Sequence, residues 1–190
     1  MPVRRLTIVS ILAVLAAAFG TAPAAAAGKR VEQKREAIDE MSISTLERLF
    51  QESPETGELY DACYGYAVFD NVKVAVLVSG GAGVGVAVNR QDRIRTYMKM
   101  GTAGIGLGLG GQSYQVVFFF EDEEAYRRFV VRGWQANIAA NAAVGSRGFN
   151  RDNPFTDGIA VFQLTNKGLL AQADLSGTKY WKARKLNGGR

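Results

Sequence analysis

Glycine falls at every second residue in two apolar runs, residues 79–88 and 101–111, which together hold ten of the chain's 22 glycines. Gly81, Gly83 and Gly85 alternate with Ala82, Val84 and Val86, and Gly104, Gly106, Gly108 and Gly110 alternate with Ile105, Leu107 and Leu109. A period of two is the period of a β-strand, whose successive residues point to opposite faces. Each run therefore predicts a strand with aliphatic side chains on one face and none on the other. A bare face lets another layer, backbone or ligand come close. Glycine weakens a strand by roughly 0.5–1 kcal/mol relative to alanine, so seven such positions need a compensating reason. Tight packing in a strongly bent sheet is one such reason, and a surface held free for something else is the other.

Residues 1–27 have the pattern of an export signal. Arg4 and Arg5 form a basic start, residues 6–19 are apolar, and Ala25-Ala26-Ala27 offers a small-residue cleavage site before Gly28. The apolar run is short for a membrane span and has no stop-transfer flank. No cysteine follows the cleavage site, so lipoprotein processing is not expected. These features predict a periplasmic or secreted protein. The remaining chain, residues 28–190, is long enough for one domain with a real core. We read residues 28–61 as a helical segment and residues 62–190 as the β-rich domain.

The net charge of the chain is +5, and two of its positive charges, Arg4 and Arg5, fall in the leader. Such a mild balance does not by itself imply nucleic acid. The sequence has no histidine and a single cysteine, Cys63. The usual general base, the Ser-His and Cys-His pairs and the commonest metal ligand are therefore absent. No zinc or copper site, no cofactor and no enzyme activity are expected. Cys63 stands in an apolar stretch and reads as a small buried hydrophobe rather than a reactive thiol.

Along the chain, Ile38, Met41, Thr45, Leu46 and Leu49 recur at helical spacing and predict an amphipathic helix over residues 29–50. It either covers the sheet or docks on a membrane or partner, and the first reading is the simpler. Ser53 and Pro54 predict a cap and first turn of a short helix reaching Asp61. Strands follow from Tyr66 onward, with Asp70-Asn71 read as a turn and residues 89–92 as another. Residues 94–100, 103–110 and 113–120 read as further strands. Asp122 caps a helix to about Arg132, with Glu123 and Glu124 placed to complement its dipole rather than to hold a cation. Residues 134–144 read as a strand, 145–158 as a loop, and 159–164 with 169–175 as a final hairpin. The fold class is α+β: a strongly curved antiparallel sheet or partly closed barrel with the N-terminal helix and one internal helix packed on it.

Two motifs bear on function. Gly106-Leu-Gly-Leu-Gly-Gly111 has the glycine spacing of a dinucleotide loop, but it lies inside a strand-like run with another strand after it, so no nucleotide site is expected. The tail interleaves basic and aromatic residues: Lys179, Tyr180, Trp181, Lys182, Arg184 and Lys185. Aromatic residues favour the membrane interface and cations favour anionic headgroups. These six are the candidate lipid-binding residues. The alternative is a last strand with a solvated basic end.

The order of segments resembles the SYLF-domain family of lipid-binding and actin-regulator-related proteins. The resemblance is carried by Gly65-Tyr-Ala-Val-Phe-Asp-Asn-Val72, the glycines from Gly80 to Gly85, and Gly104 to Gln112 with Ser113-Tyr114. It continues through Phe118-Phe-Phe-Glu-Asp122, Gly133-Trp134, Asn166-Lys-Gly-Leu-Leu170 and Leu175-Ser-Gly-Thr-Lys179. The chain departs from the usual pattern at Asp70, where proline is common, and by polar inserts near Asn89 and Asn150. The resemblance implies a compact β-rich domain with packed helices that binds membrane lipids, phosphoinositides among them in eukaryotic members. Some fungal members also bundle actin, a role an exported bacterial protein would not meet. The expected function is thus a non-enzymatic protein that binds anionic phospholipid at a bacterial envelope membrane. The alternative is an envelope structural or protein-interaction module.

Overall fold

The computed structural model describes residues 24–75, 78–105, 110–135, 155–166, 168–170 and 177–188. A long helix, α1 (Ala24–Glu52), and a short one, α2 (Glu55–Ala62), lead into the sheet. Four long strands follow: β1 (Gly65–Ala75), β2 (Val78–Asn89), β3 (Arg95–Ile105) and β4 (Gly110–Phe120). After them come α3 (Glu123–Arg127) with a π-helical continuation (Arg128–Arg132), β5 (Trp134–Gln135), β6 (Ile159–Thr165), β7 (Gly168–Leu170) and β8 (Thr178–Lys182). A 3-10 turn, Arg184–Asn187, ends the described chain. All eight strands form one antiparallel sheet in the order β5-β8-β3-β2-β1-β4-β6-β7.

The sheet is curled into a half-barrel. Between β4 and β8 lie β1, β2 and β3, which in a flat sheet would hold them roughly 19 Å apart. Yet Tyr180 on β8 meets Phe118 on β4 with ring centroids 5.1 Å apart. The inner face therefore closes on an aromatic core. Phe69, Phe118, Phe120, Phe129 and Tyr180 are buried there, with Trp134 packed against them. The outer face carries Val68, Val117, Phe119, Phe162 and Leu164 under Leu46 and Leu49 of α1. Ile38 extends the same cover over Val86, Val88 and Tyr97. The helix thus covers the sheet, as its apolar spacing predicts.

Crowding on the inner face explains the first glycine run. A Cβ at Gly83 would stand 2.6 Å from the Asp70 carbonyl and 2.8 Å from Met100 Cγ, and one at Gly85 would stand 2.6 Å from the Phe69 ring. Tight packing in a bent sheet is the reason these residues are bare. The second run is not one strand. It ends β3 at Ile105 and begins β4 at Gly110, and residues 106–109, with most of the GxGxxG spacing, lie outside the described residues.

Three further expectations are corrected, and a fourth falls largely outside the described residues. Asp70 and Asn71 form no turn; β1 runs straight through them, because Asp70 faces Gln115 across the ladder and Gln115 Nε2 donates to its carboxylate at 3.3 Å. Residues 94–100 and 103–110 are not separate strands, since β3 continues unbroken through Gly101 and Thr102. The Ser53 side chain does not cap α2: Pro54 is its N-cap residue, with no side-chain cap bond, and the Ser53 carbonyl instead accepts from the Thr56 amide and hydroxyl. The strand read over residues 134–144 is described only at Trp134–Gln135, and residues 136–154 lie outside the description. Other expectations hold. The Asp122 carboxylate accepts from the Ala125 amide at 2.8 Å, residues 90–92 turn, and β6 pairs with β7 as a hairpin, though residues 171–175 of the second arm lie outside the described residues.

Candidate functional site: a basic surface around Trp181

The tail is the last addition to the sheet. Lys182 pairs with Met98 and Thr178 with Thr102, so β8 lies against β3. Alternation then divides its side chains. Tyr180 points inward and is fully buried, packed 4.7 Å from Phe69 and 5.7 Å from Trp134. It is therefore core, and the expectation that it touches lipid is corrected. Burial, with a smaller contribution from Tyr114, holds its phenol well above the ordinary value. Lys179 and Trp181 point the other way, and Lys179, Lys182, Arg184 and Lys185 are all exposed.

Trp181 is 40% exposed. Its ring lies over Gly101, where an added Cβ would sit 3.1 Å from it, so this glycine leaves the indole a flat seat. Its direct cross-strand partner is Lys99, on the same face. The tail then turns back on itself. The Ala183 amide donates to the Tyr97 carbonyl at 2.9 Å, and Asn187 accepts from the Tyr97 amide at 3.0 Å while donating to its carbonyl at 2.8 Å. The turn between them presents Arg184 and Lys185 outward.

The N-terminal part of α1 completes the surface. Arg35 Nε donates to the Leu186 carbonyl at 2.7 Å, which ties the helix to the 3-10 turn. One turn earlier, Arg30, Val31 and Lys34 line a groove of about 580 Å³ shared with Lys99, Trp181 and Lys182, whose floor runs to Leu186. Six cations border this groove: Arg30, Lys34, Lys99, Lys182, Arg184 and Lys185, and no carboxylate is among its lining residues. On the far side of Trp181 a second cleft holds Val131, Arg132 and Lys179. Val131, carried out by the π-helical turn, is 63% exposed. The surface is therefore an aromatic and aliphatic centre inside a ring of positive charge.

The structure brings together Lys182, Arg184, Lys185 and Trp181, with Lys179 beside them. Sequence reasoning missed Arg30, Lys34, Lys99, Val131 and Arg132. Arg30 and Lys34 were visible as an i,i+4 basic pair flanking Val31, and Lys99 as the one charge between Tyr97 and Thr102. What the sequence does not carry is the pairing of β3 with β8 that assembles them.

The remaining chemistry is sparse. Burial, the largest cause, pushes the Cys63 thiol up to about 11, so it is an inert core residue and not a nucleophile. No group of acidic, cysteine or histidine side chains suited to a metal ion occurs among the described residues.

Residues 101–189 match the family model described as Ysc84: Las17-binding protein actin regulator, the model of the SYLF family. The chain carries a SYLF domain. The matched span includes all six tail residues, and Arg30, Lys34 and Lys99 lie outside it. Over 153 residues the chain is 41% identical to Beta cell expansion factor A of Aeromonas veronii, a SYLF-family protein. That alignment covers 80% of this chain and 59% of the relative, so the chain spans less than two thirds of its length. SYLF domains are lipid-binding and actin-related, and theirs is not a known enzyme family.

Proposed function

We propose that this SYLF domain binds anionic phospholipid at a bacterial envelope membrane, through the surface centred on Trp181. One observation carries the reading: a 40% exposed tryptophan seated among six cations with no carboxylate in the same groove. Indole rings favour the headgroup level of a bilayer, and each nearby cation adds about 1 kcal/mol at an anionic surface. Six cations together give at most about 6 kcal/mol, a dissociation constant on the order of tens of micromolar. Attachment of this kind is reversible and sensitive to salt.

The proposal includes export, from the leader-like pattern of residues 1–27, and hence a periplasmic or secreted place of action. An exported protein meets no actin, so the words of the family description are not carried to this chain. The role is binding, with no catalytic step.

Co-sedimentation of the purified protein with phosphatidylcholine vesicles containing graded phosphatidylglycerol tests the reading. Binding should rise with the anionic fraction and fall between low and high salt. Binding that ignores both, or none at any composition, contradicts it and favours an envelope protein as the partner.

A further inference from the structure

The turn that ends the described chain joins two residues that the fold requires for separate reasons. Asn187 is required for its amide group: Oδ1 accepts from the Tyr97 amide at 3.0 Å, and Nδ2 donates to the Tyr97 carbonyl at 2.8 Å and to the Ala183 carbonyl at 3.0 Å. Gly188 is required for its backbone. It closes the 3-10 turn at φ 65° and ψ 27°, a left-handed conformation that favours glycine, with its amide donated to the Arg184 carbonyl. Together they make the only Asn-Gly step in the sequence.

An Asn-Gly step carries its own chemistry. Once the glycine amide nitrogen gives its proton to solvent, it attacks Cγ of the asparagine, and no side chain on the glycine shields it. The new N–Cγ bond forms, the Cγ–Nδ2 bond breaks, and ammonia leaves with a proton taken back from solvent. Water then opens the five-membered imide at either carbonyl, so the chain continues through an aspartate or an isoaspartate. The net change is amide plus water to carboxylate plus ammonium, with no other reactant.

The closed turn prevents this attack. The Gly188 amide is engaged by the Arg184 carbonyl, and both ends of the Asn187 amide group are held. Arg35 clamps the turn from α1: its Nε donates at 2.7 Å to the carbonyl of Leu186, the residue before Asn187, and its guanidinium lies 5.7 Å from the Tyr97 ring centre. Attack therefore waits on local opening of the turn. Afterwards the turn cannot close as before. A carboxylate only accepts, so both bonds donated by Nδ2 are lost and an anionic oxygen confronts the carbonyls of Tyr97 and Ala183. The new charge also lies in the cleft that Asn187 lines with Arg132, Lys179, Lys182 and Arg184.

We propose that Asn187 is a site of spontaneous deamidation and that its latch on Tyr97 is a one-way switch, protected while closed and unable to re-form once the amide has become an acid. The reacted form releases Arg184 and Lys185 and lowers the net charge of the basic surface by one. The modification does not depend on what that surface binds, so it can fail without the membrane reading, and the membrane reading without it.

The test is peptide mapping by mass spectrometry of the purified protein held warm in mildly alkaline buffer, folded and in concentrated urea. The tryptic peptide starting at Leu186 should gain the mass of an acid in place of an amide in both conditions. The folded protein should react about tenfold more slowly, since an opening that breaks one or two hydrogen bonds suppresses the reaction by that order. Arg35→Ala should speed the reaction in the folded protein and leave the rate in urea unchanged. Asn187→Asp should reproduce the aspartate form of the aged protein and melt roughly 2–8 °C below the fresh parent. Equal rates in folded and unfolded protein, no reaction in the folded protein over weeks, or an Arg35→Ala rate equal to the parent's would each overturn the proposal. So would an Asn187→Asp variant that melts with the parent, which would mean that the turn re-forms around the carboxylate.

Discussion

Asn187 holds Tyr97 by both ends of its amide group, accepting from the Tyr97 amide at 3.0 Å and donating to its carbonyl at 2.8 Å. A side chain here continues the pairing of β3 after β8 has ended, and it is what folds the basic tail back over the sheet. The same nitrogen also donates to Ala183 at 3.0 Å, closing the turn that presents Arg184 and Lys185. Replacing Asn187 by alanine leaves the Tyr97 amide unpaired, while the Tyr97 carbonyl keeps the Ala183 amide, and should cost about 1–3 kcal/mol. Denaturant unfolding measures the loss. Vesicle binding should fall with it, because Arg184 and Lys185 lose their fixed placement.

The glycines divide sharply by face. Gly85→Ala would push a methyl into the Val68 carbonyl and the Phe69 ring, both held rigidly by the sheet. Overpacking of this kind costs about 1–3 kcal/mol or more. Gly80→Ala meets nothing within 4 Å and should be neutral, or stabilising by up to about 1 kcal/mol through strand propensity. Melting temperatures of the two variants, measured side by side, check the contrast. Equal behaviour would mean that the curl is not set by close approach.

Alkaline pH should unfold the protein early. Burial raises the Cys63 thiol from 9.0 to about 11 and the Tyr66 phenol from 10.0 to about 12. Burial, with the neighbouring Asp39 carboxylate, raises Tyr97 likewise to about 12. In each case the folded state holds its proton more tightly than the unfolded state. The stabilisation is therefore fully present below pH 9 and is lost as pH rises through about 9 to 12. For Cys63 alone the loss by pH 11 is about 2 kcal/mol. Urea midpoints of the parent and Cys63→Ala across this range test it: the variant should show the shallower decline.

Much of this fold is legible in the sequence because its cues are local. The apolar spacing of Ile38, Leu46 and Leu49 marks α1, Asp122 marks the start of α3, and the turn residues at Asn166 and Gly168 mark the β6–β7 hairpin. Asp70-Asn71 misleads because strand pairing overrides its turn chemistry: the Asp70 carboxylate accepts from Gln115 on the neighbouring strand, and Asn71 lies over Gly83 on the inner face. No local rule anticipates a partner 45 residues away. The candidate site is legible only in part for the same reason. The basic-aromatic tail is contiguous, but Tyr180 belongs to the core by strand alternation, and Arg30, Lys34 and Lys99 join the tail only through tertiary pairing. The bare face of the glycine run reads as open in sequence and is filled in space by side chains of the strands beside it.

Depth-dependent quenching of Trp181 tests the membrane assignment most directly. The protein is mixed with phosphatidylglycerol-containing vesicles carrying bromine on the acyl chains near the headgroup, and its tryptophan fluorescence is compared with that of Trp181→Phe. Because Trp134 is half-buried against the core and common to both proteins, the difference between them isolates Trp181. The account predicts a blue shift and strong quenching in the parent that disappear in Trp181→Phe and in high salt. Quenching that is absent in the parent, while the protein still sediments with the vesicles, would place the membrane contact elsewhere and contradict the account.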